Sequence, residues 1–178
     1  MSTLKVGAIQ STTGNAAMTV ANTGVATFAS PPQGTGKILQ VKQSVFPHAS
    51  GMSSTNTSMV TTGHTITITP SSASSKISLF NTSTLYNGSG HNVKVTITKN
   101  HSGISETDLA SAADQGFTQL HTPSSAIGSG SAIVFLDSPS TTNEITYTVK
   151  IKVSGGTGFY PIGGDAVLIA MEVAQWVV

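Results

Sequence analysis

The chain has 178 residues, enough for one domain of roughly 140 residues and a short additional segment, and only 8% of them are charged. Its eight basic residues are all Lys and its formal net charge is +1, which argues against a nucleic-acid partner. Cysteine is absent, which excludes disulfides, thiolate metal sites and a Cys nucleophile. No signal-peptide pattern and no apolar run of membrane-spanning length is present, so we expect no membrane partner.

The first 30 residues contain three short strand-like pieces separated by two Gly/Asn turns: Leu4–Gln10, Ala16–Val20 and Val25–Phe28. Each piece offers only two or three apolar side chains, too few to offset the backbone entropy of ordering it alone. We therefore predict that residues 1–30 form an attachment arm, which becomes ordered against another chain. The apolar residues predicted to make this contact are Leu4, Val6, Ile9, Met18, Val20, Val25 and Phe28.

A proline-rich stretch at Pro31–Gly34 ends the arm, because proline has no backbone N–H to donate to a sheet. We predict a linker at residues 31–36 and a β domain at residues 37–178. Lys37–Val45 is predicted to be a strand with Leu39, Val41 and Val45 on one face. Phe46–Gly63, which is rich in Ser, Thr and Asn, is predicted to be a long surface loop.

Alternating apolar and polar residues predict several strands in the middle of the chain. Thr65–Thr69 and Lys76–Phe80 flank a Ser-rich turn after Pro70, which predicts a β-hairpin. Val93, Val95 and Ile97 alternate with polar residues and predict a half-buried strand. Ser105–Ala113 begins with a weak helix-capping pattern and is predicted to form one short helix.

The last third of the chain contains the most apolar segments. Ile133–Leu136 and Ile145–Val153 are predicted strands, and Ala166–Val173, apolar on both faces until Glu172, is predicted to lie centrally in a sheet or at a subunit interface. The predicted oligomer interface consists of Val167, Ile169, Met171 and Trp176. Seven or eight strands at this spacing predict an all-β fold, an antiparallel β-sandwich of jelly-roll type.

No complete catalytic, metal or cofactor motif is present. Glu106 and Asp108 are the candidate carboxylate pair for glycoside hydrolysis, but two residues this close on a helix would diverge. The five histidines have no metal-binding spacing, so solvated loop positions are the favoured interpretation: His48, His64, His91, His101 and His121. One alternative is that three copies, meeting on an axis, each contribute one histidine to a metal-binding ring. We predict no enzyme activity, no cofactor and no metal.

Four stretches of the chain resemble tail-fibre-like virion proteins of bacteriophages, particularly marine ones. Met1–Val6, with Ile9, Gln10 and the Thr/Gly/Asn turn that follows, resembles the start of such proteins. Gly36–Val41, Ile66–Ile77 and Ile145–Lys150 resemble the β domain that often comes next. The resemblance implies a virion structural role, for a protein made in the host cytoplasm and carried on the particle.

Two locations on the particle are consistent with this resemblance. The first is an oligomeric, most readily trimeric, fibre or spike that is attached to other virion proteins through the arm. Its polar loops, at Ser50–Gly63, Asn81–His91 and Asn100–His121, would contact host surface polysaccharide. The second is a capsid decoration or head-fibre protein that stabilises the capsid. The sequence predicts the same fold and arm for both.

Overall fold

The computed structural model describes residues 37–88, 90–111 and 115–174, together with Thr23 and the backbone of three strands in the first 30 residues. The chain divides into two compact units, Met1–Thr35 with Trp176–Val178, and Gly36–Gln175. The predicted linker at residues 31–36 lies outside the described residues, as do Leu4, Val6, Val25 and Trp176.

The first unit contains the three strands that the sequence predicts: β1 (Ala8–Gln10), β2 (Ala16–Val20) and β3 (Ala26–Phe28). They pair antiparallel in the order β1-β2-β3. The register places Ile9 opposite Met18, and Met18 opposite Phe28, so three apolar positions form one row across the sheet. Attachment of this segment to another chain stays a prediction.

The second unit is an antiparallel β-sandwich, as predicted. One sheet has the order β4-β14-β7-β13-β5, with β11 also paired to β7. Its strands are β4 (Ile38–Phe46), β5 (Met52–Ser54), β7 (Lys76–Asn87), β11 (Ile127–Asp137), β13 (Gly158–Tyr160) and β14 (Ala166–Val173). The other sheet has the order β10-β8-β12-β6, with β9 paired to β8. Its strands are β6 (Val60–Ile68), β8 (His91–His101), β9 (Ile104–Asp108), β10 (Thr118–Thr122) and β12 (Ile145–Val153).

The core lies between the two sheets and follows the period-two pattern of the strands. All five predicted inward residues of β12 are buried: Ile145, Tyr147, Val149, Ile151 and Val153. Val93, Val95 and Ile97 of β8 lie beside them, and the facing sheet contributes residues such as Leu79 and Leu168. Each fully buried aliphatic side chain of this kind stabilises the fold by roughly 1.5–3 kcal/mol. The half-buried strand at Val93–Ile97 and the central position of β14 are confirmed.

The predicted hairpin is wrong, although both of its strands exist. β6 pairs with β12, whereas β7 pairs with β14 and β11, so Ser71–Ser75 carries the chain from one sheet to the other. Alternation along a strand determines which face is buried, but it contains no information about which strand lies alongside.

The predicted short helix is also wrong. Ile104–Asp108 forms β9, antiparallel to β8, and residues 112–114 lie outside the described residues. Glu106 and Asp108, two apart on a strand, point the same way and accept hydrogen bonds from Thr98 and Thr96 of β8. These cross-strand bonds favour strand pairing over the weak capping pattern of the sequence.

The predicted loop at Phe46–Gly63 contains more regular structure than its composition indicates. It includes a 3-10 helix at His48–Ser50, the short strand β5 and the first four residues of β6. Ser54 is buried, and its hydroxyl accepts a hydrogen bond from the backbone N–H of Asn56. Ser and Thr are frequent in the strands of this protein, so their abundance here does not indicate a loop.

Candidate functional site

The two outer surfaces of the sandwich differ sharply in chemistry. The outer surface of the five-stranded sheet has hydroxyl and ammonium groups, from residues such as Thr65, Thr67, Thr148 and Lys150. The outer surface of the six-stranded sheet is largely aliphatic. Of the eight exposed large apolar side chains among the described residues, seven belong to two strands of that sheet, β4 and β11: Ile38, Leu39, Val41, Val45, Ile127, Val134 and Leu136.

Strand β4 has its apolar side facing away from the core. Leu39, Val41 and Val45 share one face, as predicted, but they are 40%, 56% and 49% exposed. The residues that turn toward the sandwich include Gln40 and Ser44. An isolated exposed Val needs no explanation, whereas a whole strand with its apolar side in solvent does. β4 therefore buries its apolar side only if something covers this sheet from outside.

The strand register joins these side chains into one continuous patch. Ile169 of β14 lies opposite Phe80 of β7, which lies opposite Val134 of β11. On the other side of β14, Val41 lies opposite Met171 and Val45 lies opposite Val167. We call this patch the apolar face; its members are Leu39, Val41, Val45, Phe80, Val134, Leu136, Val167, Ile169 and Met171.

Three residues of the predicted oligomer interface lie in the middle of the apolar face. Val167, Ile169 and Met171 are half-buried and point outward from β14, which is flanked by β4 and β7. Whether another chain covers them stays a prediction. The sequence reasoning missed the contributions of β4 and β11. The signal that could have found them is the run Val134-Phe135-Leu136, which is apolar on both sides of a strand.

A buried polar cluster lies beneath the apolar face. The backbone carbonyl of Ser44 on β4 accepts from His64 Nε2 (3.2 Å), so Nδ1 is the acceptor for the Tyr160 hydroxyl (2.8 Å). Asn81 Nδ2 donates to the Tyr160 oxygen (3.2 Å) and to a backbone carbonyl of β14 (3.1 Å). Phe46 stacks on the imidazole with ring centroids 5.4 Å apart. The cluster therefore fixes the end of β4 onto the sandwich.

This cluster requires a neutral histidine. Burial lowers the pKa of His64, and the bond to the Ser44 carbonyl offsets this only in part. Burial also raises the pKa of Tyr160, so its hydroxyl keeps the proton that it donates to the imidazole. His64 is 1% exposed, so the favoured interpretation of a solvated loop histidine is wrong at this position.

The other end of β4 is held by a buried carboxylate. Glu172 of β14 is fully buried; its Oε1 accepts from the backbone N–H (2.7 Å) and the hydroxyl (2.6 Å) of Ser71. Gln40 Nε2 of β4 donates to Glu172 Oε2 (2.6 Å) and to the carbonyl of Thr69 (2.7 Å). Burial alone would raise the pKa of Glu172, but the hydrogen bonds from Ser71, Gln40 and Ser75 outweigh it and lower the pKa. Glu172 thus holds both β4 and the Ser71–Ser75 connection between the two sheets to β14.

A third polar tie joins β11 to the opposite sheet. Asp137 accepts from Lys99 Nζ (2.8 Å) on one carboxylate oxygen and from the Tyr147 hydroxyl (2.8 Å) on the other. Burial, followed by the charge and hydrogen bond of Asp137, raises the pKa of Tyr147, which therefore stays a donor. Lys99 and Tyr147 both belong to the five-stranded sheet, so this tie fixes the position of β11 and of the apolar side chains on it.

The candidate carboxylate pair is engaged in contacts between strands. Glu106 accepts from Lys150 Nζ (2.5 Å) and from the Thr98 hydroxyl (2.6 Å), and Asp108 accepts from the Thr96 hydroxyl (2.5 Å). Burial raises the pKa of Glu106, but the bonds from Lys150 and Thr98 outweigh it and the net pKa is lowered. A lowered pKa is the opposite of what a general acid near neutral pH needs.

The described residues contain no group of three or more His, Asp or Glu side chains placed to hold a metal ion. His48 lies in the 3-10 helix, where its Nδ1 accepts from the backbone N–H of Gly163 (3.1 Å). His121 Nδ1 contacts the side chain of Asn92, and His101 Nδ1 contacts the backbone carbonyl of Ser102. A histidine ring across several copies stays a prediction.

Comparisons with known proteins give fold neighbours only. No protein-family model matches the chain, and no curated protein matches it. One similar solved structure is the Eiger TNF of S. frugiperda, with 8% identity and a TM-score of 0.42, covering 76% of this chain and 94% of that one. Two others come from infectious bursal disease virus. The Gx strain structure has 13% identity and a TM-score of 0.34, covering 86% of this chain and 43% of that one. The VP2 subviral particle has 13% identity and a TM-score of 0.32, covering 77% and 40%.

In the part of the chain that the structure describes, no helix has the length and apolar character needed to cross a membrane.

Proposed function

We propose that this chain is a structural protein of a bacteriophage particle, a non-catalytic subunit of an oligomeric fibre or spike exposed on the virion. The observation that carries the proposal is the apolar face on an otherwise hydroxyl-rich sandwich. A contiguous apolar surface of this extent is typical of a subunit that is covered in its assembly. The resemblance of Met1–Val6 and of the three β-domain stretches to tail-fibre-like virion proteins supports the kind of assembly.

The proposal gives each part of the chain a separate role. Residues 1–30 attach the subunit to other virion proteins, and the apolar face is covered by another copy in an oligomer. The five-stranded sheet then turns its Thr-rich and Lys-containing surface toward solvent. The polar residues beside the connection between β7 and β8, which include the exposed His121, contact polysaccharide on the host surface.

The proposed function is tested by locating the protein on intact particles. Gold-labelled antibody raised against residues 37–174 should label the tail or a projecting fibre, and particles that lack the protein should adsorb poorly to host cells. Labelling distributed over the head, with normal adsorption and capsids that break more easily under heat or osmotic shock, would instead identify a capsid decoration protein. Absence of label from purified particles would overturn the virion role.

A separate variant tests the proposed contact with host polysaccharide. Asn87 is buried and residues 88–90 are already Gly-Ser-Gly, so the variant alters the two histidines beside this connection: His91→Ala with His121→Ala should reduce adsorption if these side chains bind polysaccharide. The matched control is Thr142→Ala with Asn143→Ala, in the mostly exposed connection before β12. Equal adsorption of both variants and of the unaltered protein would refute glycan binding at this connection.

A further inference from the structure

We infer that the apolar face is a self-association surface, covered in the assembled protein by the apolar face of a second copy of this chain. The inference rests on the proposed oligomeric role and specifies its partner. It extends the contact from β14, where the sequence placed it, to β4, β7 and β11.

The first argument is that the described part of the chain offers no second apolar surface of comparable extent. Beyond the seven exposed large apolar residues on β4 and β11 already named, only Ile104 remains among the described residues. It lies on β9, in the other sheet. Within the described residues, a copy that covers the apolar face with apolar surface therefore uses its own apolar face. Contacts in which the same patch serves both partners are the commonest form of homo-oligomer interface.

The second argument is electrostatic. All nine members of the apolar face are uncharged, so two copies can approach without like charges meeting at the centre. Lys76 lies at one end of β7, where its Nζ donates to the Ser138 hydroxyl (2.8 Å). This position suits the polar rim that surrounds the apolar centre of a protein interface. A strongly acidic or basic partner would find no complementary charge on this surface.

The third argument is size. Four strands about 4.8 Å apart and roughly 26 Å long present a surface on the order of 500 Å². A standard stable interface takes roughly 800 Å² from each partner, an apolar centre with a polar rim. The apolar face thus supplies the centre of an ordinary homo-oligomer contact and needs only a modest rim from neighbouring residues.

The same contact explains why the apolar side chains of β4 face away from the core of their own sandwich. Its apolar residues Val41 and Val45 would be buried by the second copy, while the Gln40 side-chain amide and the backbone carbonyl of Ser44 are already hydrogen-bonded to Glu172 and His64. β4 therefore has two partners, one on each side. It is held to its own sandwich by polar bonds and would be held to the second copy by aliphatic packing.

A charge introduced into the apolar face tests the contact. Val134 is 69% exposed in the isolated chain, so Val134→Lys should fold. Burying an unpaired ammonium costs several kcal/mol, so the dissociation constant should rise by roughly 100-fold or more. Light scattering should then report the 18.1 kDa monomer at concentrations where the unaltered chain is oligomeric. Thr65→Lys, an equal change on the exposed side of the other sheet, is the matched control and should leave the mass unchanged.

Cross-linking identifies the occupant directly. Because the chain has no Cys, each single-Cys variant has one reactive site and a covalent dimer can only join two copies. A short bis-maleimide should convert V134C and V41C into dimers and leave T65C monomeric. Equal linking of T65C and V134C, or no effect of Val134→Lys on mass, would overturn the inference.

The two proposals fail independently. A monomeric protein that still labels particles would refute self-association and leave the virion role intact. An oligomer that cross-links through the apolar face but is absent from particles would support self-association and refute the virion role.

Discussion

Replacing Glu172 tests how β4 and the sheet-to-sheet crossing are held. Its carboxylate accepts hydrogen bonds from the Ser71 N–H and hydroxyl, from Gln40 and from Ser75, and the residue is fully buried. Glu172→Ala removes the acceptor and leaves the Ser71 N–H and the Gln40 amide without it. Buried donors left unsatisfied cost about 1–3 kcal/mol each, so we expect a loss of about 3–4 kcal/mol. At about 2–4 °C per kcal/mol for a domain of this size, Tm should fall by about 6–16 °C.

Glu172→Gln removes the negative charge of the side chain and keeps its shape. The Gln oxygen can keep both Ser71 bonds, but its amide nitrogen meets the Gln40 amide, donor against donor. Turning Gln40 around would remove its bond to the Thr69 carbonyl. We expect a smaller loss of about 1–2 kcal/mol, because one bond to a charged group is lost and the fit is kept.

The pH dependence of this loss follows from the lowered pKa of Glu172. The folded state favours the ionised form, so the stabilisation is complete above the ordinary pKa of 4.5 and is lost as pH falls through the folded value. Thermal melts from pH 7 to pH 3 should show the gap between the unaltered chain and Glu172→Gln closing below pH 4.5. Glu144→Gln, in an exposed connection, is the control. A constant gap at all pH values would refute the reasoning.

Four further predictions concern the other buried polar contacts and the arm. Below pH 6.5 His64 is protonated in the unfolded chain, whereas burial keeps it neutral in the folded protein, so the free energy of unfolding should fall between pH 7 and pH 5. An equally steep fall in His64→Gln would contradict this. Tyr147→Phe removes a bond to the Asp137 carboxylate and should cost about 1.5–3 kcal/mol, whereas Tyr86→Phe should cost little; chemical denaturation measures both. In an ultraviolet titration to pH 11, Tyr147 and Tyr160 should stay protonated while the protein is folded, and early ionisation of two tyrosines would argue against their burial. Deleting residues 1–30 should leave the cooperative melting of the larger unit intact but abolish incorporation into particles; loss of that melting would place the boundary elsewhere.

Much of the sandwich could be predicted from the sequence because period-two alternation directly reports burial. Ile145–Val153 is predicted and observed with the same bounds, and all five of its apolar residues are buried. The errors concern strand pairing, because alternation along a strand does not indicate which strand lies beside it. The strands on either side of Pro70 are correct, but their sheets differ, because pairing depends on contacts with β12 and β14 that are distant in sequence.

The candidate site was only partly predictable for a related reason. An apolar stripe such as Leu39, Val41 and Val45 shows that three side chains share a face, but not whether that face meets the core or solvent. That choice is made by the inward residues of β4: the Gln40 amide bonds to buried Glu172, and Phe46 packs against the core and stacks on His64. Val167, Ile169 and Met171 were recognised because β14 is apolar on both sides, a pattern that requires cover on both.

The molar mass of the full chain in solution tests the central claim most directly. Multi-angle light scattering at micromolar concentration should report an oligomer of at least two times 18.1 kDa, because apolar faces that cover each other join copies in pairs. The same measurement on Val134→Lys should report 18.1 kDa, with an unchanged far-ultraviolet circular dichroism spectrum. A monomeric unaltered chain with its apolar face in solvent would contradict the account.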